Sequence, residues 1–343
     1  MRAARYYGNR DIQIDDIDRP SPGPGEILVD VDACGICGSD LAEYLYGPRR
    51  EEMVPYTMGH EIGGKVADTG DGVDIEVGTE IVLSPLMACG ECWCCDEAKY
   101  NLCRNLRVIG AHQQGAYAEQ VVAPAENAVP LPDGVTMEQA AVAEPFTVAF
   151  HGLRKSPFQS GQSVLVVGLG PIGIGMVQLA KAAGADPIYA SGHRKARRDL
   201  AAAYGADVVI DPRQTDPIET IREETGGGVD VSFEIAGRES ALNDAIKSVK
   251  PGGHTTILGV FKGEIEVNPM DLVNSERSVD ASAAYHTGPL SHRDFGPVLR
   301  KFASGELHPD PLVTTRLELE EIQEGFESLA DSDSGEVKVL VRP

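Results

Sequence analysis

The stretch SVLVVGLGPIGIGMVQLAKAAGA, residues 163–185, decides the fold of the second half of the chain. It opens with an apolar run typical of a buried strand, passes through a glycine-rich turn, and ends in a pattern typical of a helix. Strand patterns recur downstream in DPIYASG, DVVID, VDVSFEIAG, GGHTTILGV and SVDASAAYH, with helical stretches such as ESALNDAIKSVK between them. Strands that alternate with helices indicate a parallel, doubly wound α/β sheet.

The turn inside that stretch has the spacing G-x-G-x-x-G. The spacing is a weak signal by itself, but a preceding strand and a following helix are the context that a dinucleotide-binding turn requires. The first glycine permits the tight bend, the second lets the backbone approach a pyrophosphate, and the third lets the helix pack on the strand. The alternative is a glycine-rich turn without a ligand. The nucleotide-binding residues predicted here are Gly168, Gly170, Pro171, Ile172 and Gly173.

The end of the second strand indicates which dinucleotide is bound. A site for NAD places an Asp or Glu there, about 20 residues on, to hold the ribose 2′-hydroxyl. The run ASGHRK, residues 190–195, holds no carboxylate, and Arg197 and Arg198 follow one turn later. Because small and basic residues suit a 2′-phosphate, we expect NADP(H) in preference to NAD(H). The alternative is that the arginines only solvate the start of the helix. The residues predicted at this end of the site are Ser191, Gly192, His193 and Arg194.

The first 150 residues have a different character. They contain short strand patterns separated by Gly, Pro, Asn and Asp, which predicts a β-rich body with irregular loops. The run MEQAAVAEPFTVAFHGLRK, residues 137–155, has a helical pattern that leads into the second half. From about residue 291 the chain shows two amphipathic helical patterns and a final strand, VKVLVRP.

Four cysteines lie within fifteen residues, in CGECWCCDEAKYNLC. Their spacing, C-x2-C-x2-C-x7-C, suits one tetrahedral metal better than a set of disulfides, and zinc is the ordinary occupant of a site with four sulfur ligands. We therefore predict a structural zinc in a lobe of about residues 86–105, held by Cys89, Cys92, Cys95 and Cys103. Cys94 is an extra thiol, and an exchange of roles between Cys94 and Cys95 stays open at this point.

Composition excludes several classes of function. The net charge of −23, from 53 acidic and 30 basic residues, is unsuited to binding nucleic acid. No apolar run is long enough to span a membrane, and the first residues, MRAARYYGNRDIQ, lack the apolar segment of a secretory signal. Five of the seven cysteines are clustered, as reduced metal ligands are. The expected location is the cytoplasm.

A second set of metal-ligating side chains is spread along the first half. Cys37 and His60 lie in glycine-flanked motifs, Glu61 is adjacent, and Glu144 lies in an otherwise apolar segment. A buried carboxylate needs a metal, a cation or several hydrogen bonds. Cys, His and Glu are the mixed ligands of catalytic zinc, which keeps one coordination position for water or substrate. The spacing is too long to show by itself that these residues meet.

The chain resembles the zinc-dependent medium-chain alcohol dehydrogenases over essentially its whole length. The motifs CGICGSD, GHEIGGKV, the cysteine lobe, LPDGVTMEQAAVAEPFTVAFHG and GLGPIGIG occur in the order of that family. The butanediol and polyol (sorbitol-like) dehydrogenases are the most similar subgroup, on CGICGSDLAEYLYGP and the Glu-Pro of AEPF; threonine dehydrogenases typically have Asp-Pro-Phe-Gly there. The resemblance implies a GroES-like catalytic domain of residues 1–151 and 291–343 and a Rossmann domain of residues 152–290.

The resemblance also assigns roles. It implies that Cys37, His60 and Glu144 bind the catalytic zinc directly or through water, and that Glu61 is a further ligand in some members. Asp40 resembles the carboxylate that orients the ligand histidine, and Ser39 the hydroxyl that bonds the substrate oxygen and passes on its proton. Many relatives carry a relay histidine five residues after the ligand cysteine, where this chain has Ala42.

The reaction implied is reversible, NADP-linked oxidation of a secondary alcohol, diol or polyol to a ketone, with two zinc ions per chain and a homodimeric or homotetrameric assembly. One alternative is an aldose C1 dehydrogenase with the same metal and cofactor. An alternative of another class is a zinc- and nucleotide-binding regulatory module without catalysis. The intact set of metal ligands argues against a module, since a non-catalytic protein has no need of an open metal site.

Overall fold

In a computed structural model that describes residues 1–343, the chain divides into two units. The first comprises residues 1–144, 286–305 and 309–343, and the second comprises residues 145–285 and 306–308. These boundaries fall a few residues from those expected at 151/152 and 290/291, which stay a prediction. None of the helices is both long enough and apolar enough to cross a membrane.

The N-terminal part is rich in short strands, as its turn residues predict. Its strands are β1 Arg2–Gly8, β2 Asp11–Asp16, β3 Glu26–Gly35, β4 Tyr56–Thr57, β5 Glu61–Thr69, β6 Glu80–Leu83, β7 Leu86–Met87, β8 Arg107–Val108, β9 Gln120–Pro124 and β10 Ala128–Pro130. Its helices are α1 Gly38–Tyr46, α2 Trp93–Asp96 and α3 Met137–Lys155. Helix α3 contains Pro145, which removes one backbone donor from the helix.

The second unit contains the predicted alternation of strands and helices. Its strands are β11 Val164–Val167, β12 Ile188–Ser191, β13 Val208–Ile210, β14 Val229–Glu234, β15 Val249–Ile257 and β16 Ser278–Ala281. Its helices are α4 Pro171–Ala182, α5 Lys195–Ala203, α6 Pro217–Thr225, α7 Glu239–Ser248 and α8 Met270–Val273. All strand pairs are parallel, in the order β13-β12-β11-β14-β15-β16, which confirms the predicted doubly wound sheet. The last strand ends at Ala281 and is shorter than the SVDASAAYH pattern suggests.

The C-terminal tail returns to the first unit. It comprises α9 His292–Ala303, β17 Val313–Glu318, α10 Ile322–Ala330 and β18 Lys338–Arg342. Strand β18 pairs antiparallel with β3, so that the main sheet of this unit has the order β10-β6-β5-β3-β18-β17, with β9 also paired to β3. Gly35 at the end of β3 lies opposite Glu61 on β5 and opposite Leu340 on β18. This register brings the tail beside the Cys37 and His60 motifs.

Candidate functional site

The junction between β3 and α1 positions three of the predicted residues. Cys37 is the N-cap of α1, with extended backbone angles (φ −87°, ψ 154°). The carboxylate of Asp40, in the first turn, accepts a hydrogen bond from the backbone N–H of Cys37 at 3.4 Å, which closes a capping box. Because the helix starts directly after Cys37, Ser39 and Asp40 lie within its first turn and close to the thiol.

His60 connects these residues. Its Nδ1 lies 3.3 Å from Oδ1 of Asp40, and its Nε2 lies 3.3 Å from the Ser39 hydroxyl. Burial by itself lowers the pKa of His60, but the negative charges of Asp40 and Cys37 and hydrogen bonds with both raise it well above its usual value. A carboxylate that fixes one ring nitrogen leaves the other for a metal, which is the arrangement found around histidine ligands.

Asp40 is itself held in place by a residue that the sequence did not indicate. The hydroxyl of Tyr117 donates to Oδ2 of Asp40 at 2.7 Å and also lies 3.2 Å from the carbonyl of Gly35. Burial opposes ionisation of Asp40, but the charge of His60 and hydrogen bonds from His60, Tyr117 and the backbone of Cys37 lower its pKa. The carboxylate therefore stays ionised although it is only 4% exposed.

Glu61 has a partner of its own. Lys338, the first residue of β18, places its ammonium 2.7 and 2.5 Å from the two carboxylate oxygens and donates to the carbonyl of Ile36 at 3.0 Å. Both side chains are 1% exposed. Gly35 leaves the space that this pair needs, because a Cβ there would lie 2.1 Å from an oxygen of Glu61. In this structure, the carboxylate of Glu61 is therefore paired with the ammonium of Lys338.

Glu144 lies in helix α3, directly before Pro145, and is the last residue of this helix that belongs to the first unit. Its side chain is buried, with 8% exposure. Burial lowers the pKa of Lys338, but the charges of Glu61, Cys37 and Glu144 outweigh it and raise this pKa. The side chains of Cys37 and His60 are hydrogen-bonded to each other, but no three of Cys37, His60, Glu61 and Glu144 have ligand atoms that all lie within 4.8 Å of one another. What fits catalytic zinc is the chemistry of this donor set, a thiol, an imidazole and a carboxylate; Cys37, His60 and Glu144 would hold the ion, with Glu61 as a further candidate.

The four predicted cysteines of the second metal site meet in one group. The sulfur atoms of Cys89, Cys92, Cys95 and Cys103 all lie within 4.8 Å of one another, and Cys103 also accepts from the backbone N–H of Cys89. Backbone N–H groups, first that of Arg104, lower the pKa of the Cys92 thiol to about 6. Burial raises the pKa of the Cys95 thiol to about 12 and that of the Cys103 thiol above its usual value, so the arrangement of the four sulfurs, rather than the pKa of each thiol, is what fits a closed zinc site.

Cys94 does not belong to this group. It is buried in the short helix α2, and its sulfur is not one of the four that lie within 4.8 Å of one another. Of the two alternatives that the sequence left open, the geometry favours Cys95 as the ligand.

The glycine-rich turn has the form that a nucleotide site requires. Gly168 has a φ of 103°, and a Cβ at Gly173 would lie 1.8 Å from the carbonyl oxygen of Gly168. At Gly170, the N-cap of α4, the nearest atom to such a Cβ is Nη1 of Arg197 at 4.0 Å. The first and third glycines are therefore required by the fold, whereas the second leaves open space in which a pyrophosphate fits.

The basic residues after β12 divide into two groups. Arg198 serves the protein, because it donates to the carbonyls of Gly192 and His193 at 2.8 and 2.7 Å and forms an ion pair with Asp211 at 2.9 Å. Arg197, by contrast, lies beside the glycine-rich turn, and burial together with the charge of Arg194 lowers its pKa to about 10. Arg194 and Arg197 are thus two neighbouring cations near the end of β12, and such a pair suits an anionic group of a ligand.

Several functional residues escaped the sequence analysis. Tyr117 gave no signal, since a tyrosine in a loop has no pattern of its own. A signal for Lys338 does exist in the sequence, because Lys338 is the only charged residue at a buried position of the strand KVLVR. Asp211 neutralises Arg198 and Arg213, which leaves Arg194 and Arg197 as the charged neighbours of the turn.

Comparisons with known proteins agree with this arrangement. The family model described as "Alcohol dehydrogenase GroES-like domain" matches residues 23–133, and that described as "Zinc-binding dehydrogenase" matches residues 171–304. An (R,R)-butanediol dehydrogenase of Bacillus subtilis (strain 168) is 38% identical, and the match covers 100% of both chains. A sorbitol dehydrogenase of the same organism is 33% identical over 100% of this chain and 97% of its own length.

A solved structure extends the likeness to three dimensions. A zinc-binding dehydrogenase of Sinorhizobium meliloti 1021 bound to NADP has a TM-score of 0.89 and 33% identity, and covers 100% of this chain and 99% of its own. The predicted fold and family are confirmed. With two family models and relatives matched from end to end, this chain belongs to the zinc-dependent alcohol dehydrogenase family, and it is an oxidoreductase.

Proposed function

We propose that this chain catalyses the reversible, NADP-linked oxidation of a secondary alcohol, diol or polyol to a ketone. The observation that carries the proposal is the linked set Ser39, His60 and Asp40 beside the thiol of Cys37. The names of the butanediol and sorbitol dehydrogenases support the substrate class. We further propose one catalytic and one structural zinc per chain, a homodimeric or homotetrameric assembly, and a cytoplasmic location.

Different residues of the chain would accept the proton, orient the histidine and hold the orienting carboxylate in such a reaction. When bound, zinc supplies Lewis-acid polarisation of the substrate oxygen, and NADP accepts the hydride. Ser39 accepts the hydroxyl proton of the substrate, next to the imidazole of His60. Asp40 fixes the ring of His60, and Tyr117 fixes Asp40. Because Ala42 carries no ionisable group, the proton would leave Ser39 by another route, for which the cofactor ribose and water, Glu43 and Tyr44 are the candidates.

The test of this function is turnover together with metal content. We expect about two zinc ions per chain, and oxidation of butane-2,3-diol or sorbitol with NADP that a chelator abolishes and added zinc restores. Glucose serves as the comparison substrate, because preferential oxidation of glucose would favour an aldose C1 dehydrogenase. Full turnover after the metal has been removed would refute the proposal, and one zinc without turnover would favour a binding module.

The cofactor preference has a separate prediction. Replacing Arg194 by glutamine should lower kcat/KM for NADP by roughly tenfold or more, because a charge-assisted hydrogen bond to a phosphate contributes about 1.5–3 kcal/mol. The value for NAD should change much less. Lys195→Gln is the matched control, since Lys195 is exposed and pairs with Asp199. A wild-type preference for NAD, or an equal loss with both cofactors, would contradict the prediction.

A further inference from the structure

Two adjoining cavities lie within the first unit, next to the predicted proton-transfer residues. The lining of the first, about 420 Å³, contains Ser39, Asp40 and His60 together with Glu43, Glu52, Arg50 and His112. The second, about 400 Å³, shares Arg50 and His112 with the first. The first has the volume of an ordinary small-molecule pocket, whereas the second is more open to solvent, and its Arg104 and Arg107 are exposed. A ligand can therefore extend from Ser39 into the second cavity.

The second cavity is cationic. Its lining contains Arg50, Arg104 and Arg107 with His112, Asn105 and Leu106, and no carboxylate. Of these residues, only Arg50 forms an ion pair. Its partner is Glu52 at 3.7 Å, and the two side chains are 43% and 71% exposed. Such an exposed pair contributes little. Three arginines with so little compensation stand out in a chain whose net charge is −23.

The hydrogen bonds of these residues leave donors for a ligand. Arg107 uses one nitrogen on the carbonyl of His112 at 3.3 Å, and the guanidinium of Arg104 makes no hydrogen bond or ion pair within the chain. Nδ1 of His112 accepts from the backbone N–H of Val108 at 3.2 Å, so the neutral ring carries its hydrogen on Nε2. Burial, followed by the charges of Arg50 and Arg107, lowers the pKa of His112.

We propose that this cavity is an oxyanion subsite and that the physiological substrate is a polyol bearing a carboxylate or a phosphate. The proposal rests on the function proposed above: the reacting hydroxyl lies at Ser39, and the anionic end of the molecule lies among Arg50, Arg104 and Arg107. Guanidinium groups bind carboxylates and phosphates through paired, charge-assisted hydrogen bonds. A neutral diol fills only the first cavity and leaves Arg104, and the remaining donors of Arg50 and Arg107, without an anionic ligand.

The experiment compares neutral and anionic substrates of equal chain length. Sorbitol, gluconate and sorbitol 6-phosphate are assayed with NADP and the zinc-loaded protein. We expect kcat/KM to be roughly tenfold or more higher for one of the anionic compounds, mainly through a lower KM, and to fall as salt is added. Whichever of gluconate and the phosphate is preferred identifies the anionic group. Sodium sulfate should compete with that substrate.

Substitutions of arginines test whether the preference for an anionic substrate depends on the second cavity. In the double variant Arg50→Gln/Arg107→Gln, the ratio of kcat/KM for the anionic substrate over sorbitol should fall by roughly thirtyfold. Arg19→Gln, an exposed arginine outside both cavities, should leave this ratio unchanged. The zinc content of every variant is measured, so that a damaged cysteine lobe is recognised.

The possible failures are distinguishable. If sorbitol or a neutral diol is oxidised as well as its anionic counterparts, and the arginine variant leaves the ratio unchanged, the subsite is wrong and the proposed function stands. If sulfate changes the turnover of sorbitol without competing with an anionic substrate, the cavity binds a regulatory anion and the inference is overturned. If no alcohol of either kind reacts with the zinc-loaded protein, the proposed function itself fails.

Discussion

Cys37→Ser is expected to remove the catalytic zinc and to lower kcat by about a thousandfold, because loss of Lewis-acid stabilisation costs several kcal/mol and each 1.36 kcal/mol is a factor of about ten. A serine hydroxyl is a poor substitute for a thiolate ligand. The three remaining donors, His60, Glu61 and Glu144, are an imidazole and carboxylates, which hold zinc less firmly without the sulfur. The measurement is zinc content per chain together with kcat for a diol and NADP.

A neighbouring cysteine provides the control. Cys34 lies three residues earlier, is fully buried at the end of β3, and has a thiol whose pKa burial raises well above its usual value. Cys34 is not among the residues that would hold either zinc ion, so Cys34→Ala should keep both zinc ions and most of the activity. The cysteine lobe should keep its own ion in both variants. Two zinc ions and undiminished kcat in Cys37→Ser would show that Cys37 is not a ligand.

Much of the fold followed from local patterns. The glycine-rich turn needs a positive φ at Gly168 and close approach at Gly173, and both requirements lie within six residues of sequence. The cysteine lobe is equally local, since four ligands within fifteen residues have few ways to bind separate ions. Alternating strands and helices fixed the second unit because each buried strand has its own apolar run.

The polar contacts of the active-site region could not be predicted in that way. Lys338 and Glu61 are 277 positions apart, and Tyr117 and Asp40 are 77 apart. The first pair depends on the register of β18 and β5 against β3, which is set by packing of the whole sheet rather than by any short motif, and the second joins helix α1 to the segment before β9. Of the arginines of the second cavity, Arg104 and Arg107 are neighbours in sequence, but Arg50 comes from a distant segment, so no motif along the chain predicts that the three meet.

Side-chain direction limited the cofactor prediction too. Arg197 and Arg198 are adjacent in sequence, and the basic pattern indicates both equally, but successive residues on a helix point about 100° apart. One lies by the glycine-rich turn, and the other bonds the carbonyls of Gly192 and His193. A run of basic residues therefore indicates an anion site without indicating which of its members reaches the anion.

Lys338→Met is expected to destabilise the protein by about 3–5 kcal/mol, because removing one partner of a buried ion pair leaves an uncompensated charge. Glu61 would keep its carboxylate at 1% exposure, without the ammonium that lies 2.7 and 2.5 Å from its two oxygens. Since whole proteins are stable by about 5–15 kcal/mol, the loss is large. The measurement is the urea midpoint of the zinc-loaded protein.

The matched control is an exposed pair of the same residue types. Lys65 and Glu80 lie 3.2 Å apart with side chains 47% and 51% exposed, so Lys65→Met should cost less than about 1 kcal/mol. Adding Glu61→Gln to Lys338→Met should recover much of the stability, because the buried carboxylate is then neutral. Equal losses at Lys338 and Lys65 would mean that Glu61 finds another partner. Recovery in the double variant would show instead that the charge of Glu61, rather than the packing of the lysine, makes Lys338 necessary.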